Sequence, residues 1–397
     1  MKRSHAMKLN WGRRRGREEE DRVENVKCPK RAKREEEEKK EEGEIGEMSP
    51  LVSIIVPVHN AMPYLEETFE SVLRQTYKNL EVSVWNDASS DGSKEALIRW
   101  EKIFMEKKIK FVSSGVEENP LGAGAARNRC VKQSTGSYLC ILDADDVCQP
   151  TRVEKQLEMA KKHKNAIVGS GFTRVPKDST TFYTDWCNSL TEKQIYLQQY
   201  RELTIIQPTW FFHRRVYERI GGYVEHESKI LDLRPDQKKP EMTPSDLYFF
   251  HRHLDFGGKL IRIDEPLVIY RYVSGSVCSR ISRRQLLRAR LGPFERRVLR
   301  NWKQFTIWGA GRDGKNFYND LTDESRDKIV AFCDIDEKKI KRGYHDSRRR
   351  KQVPVVHFSE AKPPIVICVA MGRSGGALEK NIASLGLKEG VDYWHFI

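Results

Sequence analysis

Tyr138-Leu-Cys-Ile-Leu142 is a short apolar run, and the chain continues directly from it into Asp143-Ala-Asp-Asp146. An apolar run of this length that ends in polar residues predicts a buried strand. Two similar runs, Leu51–Pro57 and Leu80–Trp85, come earlier, with stretches of helical spacing after each of them. Strands that alternate with helices predict an α/β fold with a mostly parallel sheet and helices on both faces. Ligands of such sheets collect at the carboxyl ends of the strands, which is where these aspartates fall.

A metal site is one interpretation of the two aspartates. A single residue separates Asp143 from Asp145, so a turn can present both carboxylates on one side. Such a pair suits Mn²⁺ or Mg²⁺, which would hold the diphosphate of a nucleotide-sugar while its anomeric bond breaks. The same Asp-x-Asp spacing also occurs in solvated turns, so the pair alone does not decide between a metal site and a loop.

Four further motifs precede these aspartates in a fixed order. They are Ile54–Asn60, Leu65–Val72, Val84–Ser93 and Gly122–Asn128. This succession resembles glycosyltransferase family 2, and the resemblance extends over roughly residues 51–275. It implies a nucleotide-diphospho-sugar transferase domain of the GT-A type and a UDP-sugar as the donor.

The resemblance also implies a donor site. Asp87 would face the uracil ring, where a carboxylate can accept the imide N–H, although an aspartate at this position also suits a turn. Asp145 would be the principal metal ligand, and Asp143 would contact the ribose or the metal. Arg127 and Asn60 would lie near the donor or act structurally. The full set of implied donor-binding residues is Pro57, Val58, Asn60, Asp87, Arg127, Asp143 and Ala144.

The acceptor half of the family pattern is present as well. Gln207–Tyr223 resembles the segment that precedes the family's catalytic carboxylate, and Pro244-Ser245-Asp246 resembles the start of the helix that carries it. Asp246 would be the general base that deprotonates the acceptor hydroxyl, giving inversion at the anomeric carbon; capping of that helix is the alternative. Ser245 replaces the family's usual Glu, and Val273 stands where a metal-binding His is common. The third metal ligand is therefore open.

The distribution of charge indicates a polyanionic partner. The 397 residues carry a formal charge of +14, and residues 1–47 contribute only +2 of it because their 15 Lys/Arg face 13 Asp/Glu. We expect this first stretch to be a disordered charged tail, since it has few large apolar residues. Basic clusters follow at residues 280–303 and 338–351. Arginine-rich segments bind phosphate backbones, although charge runs are often only solvated faces. The predicted RNA-binding residues are Arg283, Arg284, Arg288, Arg290, Arg296 and Arg297.

A second strand–helix pattern begins near residue 304. Gly309, Gly311 and Gly314 follow one apolar run and Asp334 ends the next, which fits a dinucleotide-binding turn. The segment is short and has no paired catalytic domain, so we expect a Rossmann-like module and regard NAD as unlikely. The predicted organisation is a tail at 1–47, a transferase domain at 48–279, a basic helical linker at 280–303 and a Rossmann-like C-terminal domain at 304–397.

The whole arrangement resembles the enzymes that galactosylate queuosine in tRNA. That resemblance implies transfer of galactose from UDP-galactose to queuosine at the wobble position of tRNA-Tyr. Two alternatives stay open: a UDP-N-acetylglucosamine or UDP-glucose transferase acting on a glycan or a protein, and a non-catalytic RNA-binding protein. No apolar run approaches the about 18 residues that a membrane span needs, and the cysteines lack Cys-x-x-Cys spacing. We therefore expect a cytoplasmic protein without a membrane partner.

Overall fold

Four parallel strands form the first half of a large sheet. The computed structural model describes residues 49–225, 243–273, 280–372 and 374–397. Its first strands are β1 Val52–Val58, β2 Leu80–Asp87, β3 Lys110–Val116 and β4 Tyr138–Ile141. β1 lies between β2 and β4, β3 pairs with β2, and all three pairings are parallel. β1, β2 and β4 are apolar and almost continuously buried, as expected for strands covered on both faces.

Helices make the crossovers between these strands. They are α1 Leu65–Leu73, α2 Ser93–Glu106 and α3 Ala123–Gln133. Phe69 of α1 and Trp100 and Phe104 of α2 form an aromatic cluster against the sheet. Because each helix returns the chain to the start of a parallel strand, the carboxyl ends of the strands gather at one edge.

Beyond β4 the sheet becomes mixed. Its remaining strands are β5 Val147–Cys148, β6 Ala166–Val175, β7 Phe211–His213 and β8 Lys259–Arg271. β7 is antiparallel to β4 and β6, β5 is antiparallel to β8, and β6 is parallel to β8. The strand order is β3-β2-β1-β4-β7-β6-β8-β5. The predicted α/β class is confirmed, with the parallel arrangement concentrated in the first half.

Within the described residues, five helices accompany the mixed half: α4 Arg152–Lys162, α5 Thr181–Ser189, α6 Glu192–Leu197, α7 Arg214–Ile220 and α8 Ser245–Asp255. Helix α8 packs through Phe249 and Phe250 against Trp210, and Phe249 also stacks on Tyr223. This aromatic packing fixes the axis of α8 and thereby the place of its first turn, which carries Asp246.

Helix α9, Arg283–Arg297, leads into a second parallel sheet. The strands that follow are β9 Phe305–Trp308, β10 Ile329–Asp334, β11 Tyr344–Asp346, β12 Lys351–Val353, β13 Val355–His357, β14 Ile365–Ile367 and β15 Tyr393–His395. The helices are α10 Arg312–Asp320, α11 Asp323–Asp327, α12 Glu337–Arg342 and α13 Ala377–Ser384. The sheet has the order β13-β10-β9-β14-β15, whereas β11 and β12 form a separate antiparallel hairpin.

Helix α9 packs into the core of the second sheet and also reaches back to the first part of the chain. Phe294 of α9 lies edge-on against Tyr200, which follows α6, and tilts against Phe396 near the end of the chain. Pro50–Ile397 accordingly forms one compact unit. The predicted domain boundaries stay a prediction, and the predicted tail at 1–47 lies outside the described residues. Within the described part of the chain, no helix has the length and apolarity to cross a membrane.

Candidate active site

Asp87, at the end of β2, organises the loop that enters α3. Its carboxylate accepts the backbone N–H groups of Leu121 and Gly122, both at 2.8 Å, and the residue is only 3% exposed. Gly122 has φ +91°, a conformation that suits glycine. These contacts are the ones expected if Asp87 has a structural role in a turn. A carboxylate offers about four acceptor positions, however, so the predicted contact with uracil stays a prediction.

The loop after β1 is tied to the loop after β2. Asn60 accepts the backbone N–H of Ser90 at 2.8 Å, and its own N–H donates to Ser89 Oγ at 3.0 Å. The prediction that Val58 lines the donor pocket is wrong for its side chain, which is fully buried in the core because β1 continues through this residue. Pro57 is half-buried at the same strand end.

An ion pair links α3 to the end of β4. Arg127 Nη2 donates to Asp143 Oδ1 at 2.5 Å, and the arginine is almost completely buried. Burial lowers the pKa of Arg127, but the charge of Asp143, the hydrogen bond to it and the charge of Asp246 outweigh this and raise it. Arg127 therefore stays cationic among the carboxylates. Its Nε–H lacks an acceptor within the described residues, which leaves a buried donor for a ligand.

Asp145 is a crowded carboxyl of this edge, and its ionised form is disfavoured. Burial, and then the neighbouring Asp143 carboxylate, raise the pKa of Asp145 to about 6. Ala144 between them is buried, and its carbonyl accepts the hydroxyl of Thr68 at 2.9 Å, which fixes the turn to α1. A backbone bond from Asp146 N–H to Asp143 O at 3.1 Å closes the turn. The turn thus holds both carboxylates in place.

Arg271, at the end of β8, is a residue of this edge that the sequence analysis did not single out. Its Nε donates to the Asp145 carbonyl at 3.0 Å, and its backbone N–H donates to the buried Asp146 carboxylate at 2.8 Å. Its guanidinium also pairs with Glu67 and lies over the ring of Tyr64. Arg271 stands two residues before Val273, where the family often has a metal-binding His, but its contacts depend on where β8 ends.

The carboxylates at this edge fit a divalent cation that is bound together with a diphosphate. Asp143 and Asp145 supply two carboxylates on one turn, and the charge of Asp143 contributes, after burial, to the raised pKa of Asp145. No cluster of three or more His, Cys, Asp or Glu side chains suited to a metal occurs in the described ranges. Mg²⁺ and Mn²⁺ sites of one or two carboxylates are normally completed by water and phosphate oxygens. Val273, with its apolar side chain, cannot be a ligand.

Asp246 comes to the same edge from the acceptor side. It is the second residue of α8, its Oδ1 accepts the N–H of Leu247 at 2.8 Å, and burial raises its pKa. The Arg127 and Asp143 charges also act on the Asp246 carboxyl, in opposite directions. The structure therefore brings together the candidate metal ligands, the buried arginine and the candidate base, which are separated by up to about 120 residues in sequence.

Close contact between α3 and α8 accounts for the small residues at this point. A Cβ on Gly124 would lie 2.9 Å from the Cβ of Ser245 and 2.9 Å from the Val224 carbonyl. Asn128, one turn further along α3, binds both the N–H and the C=O of Tyr223, at 2.9 and 3.0 Å. The helix that carries Arg127 is thus fastened to the helix that carries Asp246.

The arginines predicted to bind RNA are largely engaged within the protein. Arg290 is 3% exposed, donates to the Arg201 carbonyl and pairs with Glu202 at 2.5 Å, so its burial contradicts the predicted RNA contact. The other pairs are Arg283 with Asp313, Arg284 and Arg288 with Asp320, and Arg296 and Arg297 with Asp255. Helix α9 therefore uses these arginines to bind its neighbours, α8 and α10 among them.

The glycine-rich turn of the second sheet is closed by its own aspartate. Asp334 accepts the backbone N–H groups of Ala310, Ile335 and Asp336 and the ammonium of Lys339, at 2.9 to 3.1 Å. These four donors match the acceptor capacity of a carboxylate, so none is left for a ribose hydroxyl. A Cβ on Gly314 would lie 1.8 Å from the Gly309 carbonyl, which explains the glycine by helix–strand packing alone.

Comparison with known proteins found a family match in the first part of the chain. Residues 53–221 match the family model described as glycosyl transferase family 2. Over these residues the chain is similar to that family. Its fold is that of the GT-A nucleotide-sugar transferases, as expected from the sequence. The matched residues contain Asp87, Arg127, Asp143 and Asp145, whereas Asp246 lies beyond them.

Two bacterial glycosyltransferases are among the relatives of this chain, and the chain covers each of them in part. The putative teichuronic acid biosynthesis glycosyltransferase TuaG of Bacillus subtilis (strain 168) is 37% identical over 131 residues, 33% of this chain and 50% of that protein. The uncharacterized glycosyltransferase EpsJ of the same strain is 29% identical over 226 residues, 56% of this chain and 62% of that protein. The chain thus spans between half and two thirds of the length of these two relatives.

Solved structures were found as well. One is the crystal structure of S. aureus TarS 1-349 with UDP-GlcNAc, at a TM-score of 0.48 and 17% identity, covering 62% of this chain and 66% of that one. Another is the mannosyltransferase PcManGT from Pyrobaculum calidifontis with GDP-Man and Mn²⁺, at a TM-score of 0.46 and 20% identity, covering 67% and 71%.

Proposed function

We propose that this chain is an inverting, metal-dependent galactosyltransferase that moves galactose from UDP-galactose to queuosine in tRNA-Tyr. The observation that carries the transferase part is the gathering of Asp143, Asp145, Arg127 and Asp246 at one edge of the sheet. Two of these carboxyls have a raised pKa, and both face the same buried cation. Perturbed groups that converge at a strand end are typical of an active site.

The donor would bind against the end of β4. Asp145 and Asp143 would hold Mn²⁺ or Mg²⁺, which, when bound, offsets the negative charge of the diphosphate. Arg127 keeps its charge because of the surrounding carboxylates. Its Nε–H, which has no acceptor among the described residues, would donate a hydrogen bond to the nucleotide-sugar. The loops that Asp87 and Asn60 hold together would form the nucleoside side of the site.

The acceptor hydroxyl would be activated by Asp246. Its oxygen forms the new bond to the anomeric carbon while the bond from that carbon to the UDP oxygen breaks, and the electron pair leaves with UDP. The proton passes to the Asp246 carboxylate and then to solvent. Burial raises the pKa of Asp246, which makes it a stronger base than a solvated aspartate. Attack from the face opposite UDP inverts the configuration.

Two features support tRNA as the acceptor: the resemblance of the whole arrangement to queuosine-galactosylating enzymes, and the charge of +12 that remains outside residues 1–47. A phosphate backbone is the natural complement of such a charge. The second candidate acceptor is a glycan. It is favoured by the relative in B. subtilis, whose description places it in teichuronic acid biosynthesis.

Incubation with Mn²⁺, radiolabelled UDP-galactose and total tRNA from cells with or without queuosine tests the proposal. We expect label only in the queuosine-containing tRNA. Parallel reactions with UDP-glucose and UDP-N-acetylglucosamine define the sugar. Label in neither tRNA, combined with UDP release on addition of a glycan acceptor, would refute the tRNA assignment and favour the second candidate.

A further inference from the structure

The two basic clusters of the chain differ in what their cations contact. The cations of α9 pair with carboxylates of other elements, as described above. The second cluster, residues 338–351, lies on α12 and the β11–β12 hairpin. We call it the basic hairpin surface. Its exposed cations are Lys338, Lys341, Arg342, Arg348, Arg350 and Lys351.

The basic hairpin surface is held together by its backbone. Gly343 ends α12 with φ +69°, and the side chain of Gln352 donates back to the Arg342 carbonyl at 3.3 Å. In the hairpin, Asp346 lies opposite Lys351. Helix and hairpin are therefore direct neighbours, and the cations at their ends share one part of the surface.

The turn of the hairpin is ordered by a buried carboxylate. Asp346 accepts the backbone N–H groups of Arg348 and Arg349 at 3.0 and 3.2 Å, and the hydroxyl of Tyr318 at 3.0 Å. Arg350 follows with φ +51°, which completes the turn. A cationic loop that is ordered before binding loses less conformational entropy on meeting its ligand.

Little negative charge opposes these cations. Residues 337–351 contain eight Lys/Arg and only two carboxylates, Glu337 and the buried Asp346. Two of the eight cations are anchored, Lys339 to Asp334 at 3.0 Å and Arg349 to Asp327 at 2.6 Å. The other six are exposed. Several arginines of α9 are exposed as well, but they pair with carboxylates of neighbouring elements.

We propose that the basic hairpin surface binds the phosphate backbone of the RNA acceptor. This inference rests on the proposed function for the identity of the RNA. Guanidinium groups bind phosphate by paired hydrogen bonds, and lysines add charge. A folded RNA is much larger than one nucleoside, so a surface on the second sheet can hold its body while the modified base enters the site of the first sheet. A six-residue helix and a tight arginine turn lack the wide apolar face by which amphipathic helices insert into membranes.

Binding of labelled tRNA-Tyr to the full chain tests this proposal. The test variant combines Lys341→Glu, Arg342→Glu and Arg348→Glu. The matched control combines Lys102→Glu, Lys107→Glu and Lys161→Glu, which reverses three exposed lysines on α2, directly after α2 and on α4. We expect the test variant to bind about tenfold or more weakly at moderate salt, with a salt slope lower by about 0.9 per lost phosphate contact. The control should bind like the parent protein, and UDP binding should be equal in all three.

Three results would overturn the inference: equal effects of the two variants, an unchanged salt slope, or loss of binding to phosphatidylserine vesicles with tRNA binding intact. A measurement without variants is acetylation of lysines in the parent protein, where tRNA should protect Lys338, Lys341 and Lys351 but not Lys102. If tRNA binds in this way but no tRNA accepts any sugar, the proposed function fails and the surface stands. If queuosine-containing tRNA is galactosylated equally well by the test variant, the surface fails and the function stands.

Discussion

The first sheet and the second sheet differ in how aspartates are used where their parallel strands end. In the first sheet, Asp145 at the end of β4 and Asp246 at the start of α8 are crowded carboxyls with raised pKa. In the second sheet, Asp334 at the end of β10 is surrounded by four donors of its own chain. Both edges have glycines and helix N-termini nearby, as parallel α/β sheets do. What distinguishes a site from a structural turn is whether the protein itself satisfies the carboxylate.

The largest effect is expected at Asp246. Asp246→Asn keeps the shape of the side chain and removes the base, so turnover should fall by about 10²- to 10⁴-fold. UDP binding should persist, because the donor contacts are made by other residues. Initial rates with saturating donor, alongside UDP titration, give both quantities.

Asp178→Asn, at an exposed aspartate, is the matched control and should retain the parent rate. Full turnover in the Asp246 variant would show that the carboxyl acts only in capping α8.

The opposite behaviour is expected at Asp334. Asp334→Ala leaves three backbone N–H groups and Lys339 without their acceptor, so we expect the free energy of unfolding to fall by about 1–3 kcal/mol. The rate per folded molecule should stay near the parent value, because this carboxylate does not face the first sheet's edge. Chemical denaturation and turnover of the same sample measure the two effects.

Stable folding combined with lost turnover in this variant would break the comparison, since it would place Asp334 in a functional site.

The smallest effect is a pH dependence set by Asp145. Its pKa is raised to about 6, and a cation binds the ionised form, so the rate at low Mn²⁺ should fall about tenfold per pH unit below pH 6. In the metal-free protein, ionisation of Asp145 has the opposite effect, because it lowers the free energy of unfolding. The stabilisation by neutral Asp145 is complete below about pH 4 and is lost as the pH rises through about 6.

Saturating Mn²⁺ should move the midpoint of the rate profile to lower pH. A midpoint that does not respond to the Mn²⁺ concentration would assign it to another group.

The sequence was sufficient for features that are local. Apolar runs followed by aspartates predicted the strands and placed Asp143 and Asp145 at the correct edge, because strand direction follows from alternation with helices. It was insufficient where distant partners decide. The sequence predicts that six arginines within α9 form an RNA surface, yet two aspartates neutralise several of them. Asp255 lies 28 residues before the start of α9, and Asp320 lies 23 residues beyond its end. The role of Arg271 was likewise hidden, since it depends on β8 ending beside the Asp-rich turn.

Helix α8 has a consequence for how fragments of this protein will behave. Its first turn carries Asp246 and it ends with Asp255, which pairs with Arg296 and Arg297 of α9. A fragment that stops before residue 280 would retain every candidate catalytic side chain and lose the arginines that hold the far end of that helix. Loss of activity on truncation would then result from a shifted helix α8 and not from the absence of a catalytic side chain. Deletion mapping of this chain therefore tests the packing of α8 as much as it tests catalysis.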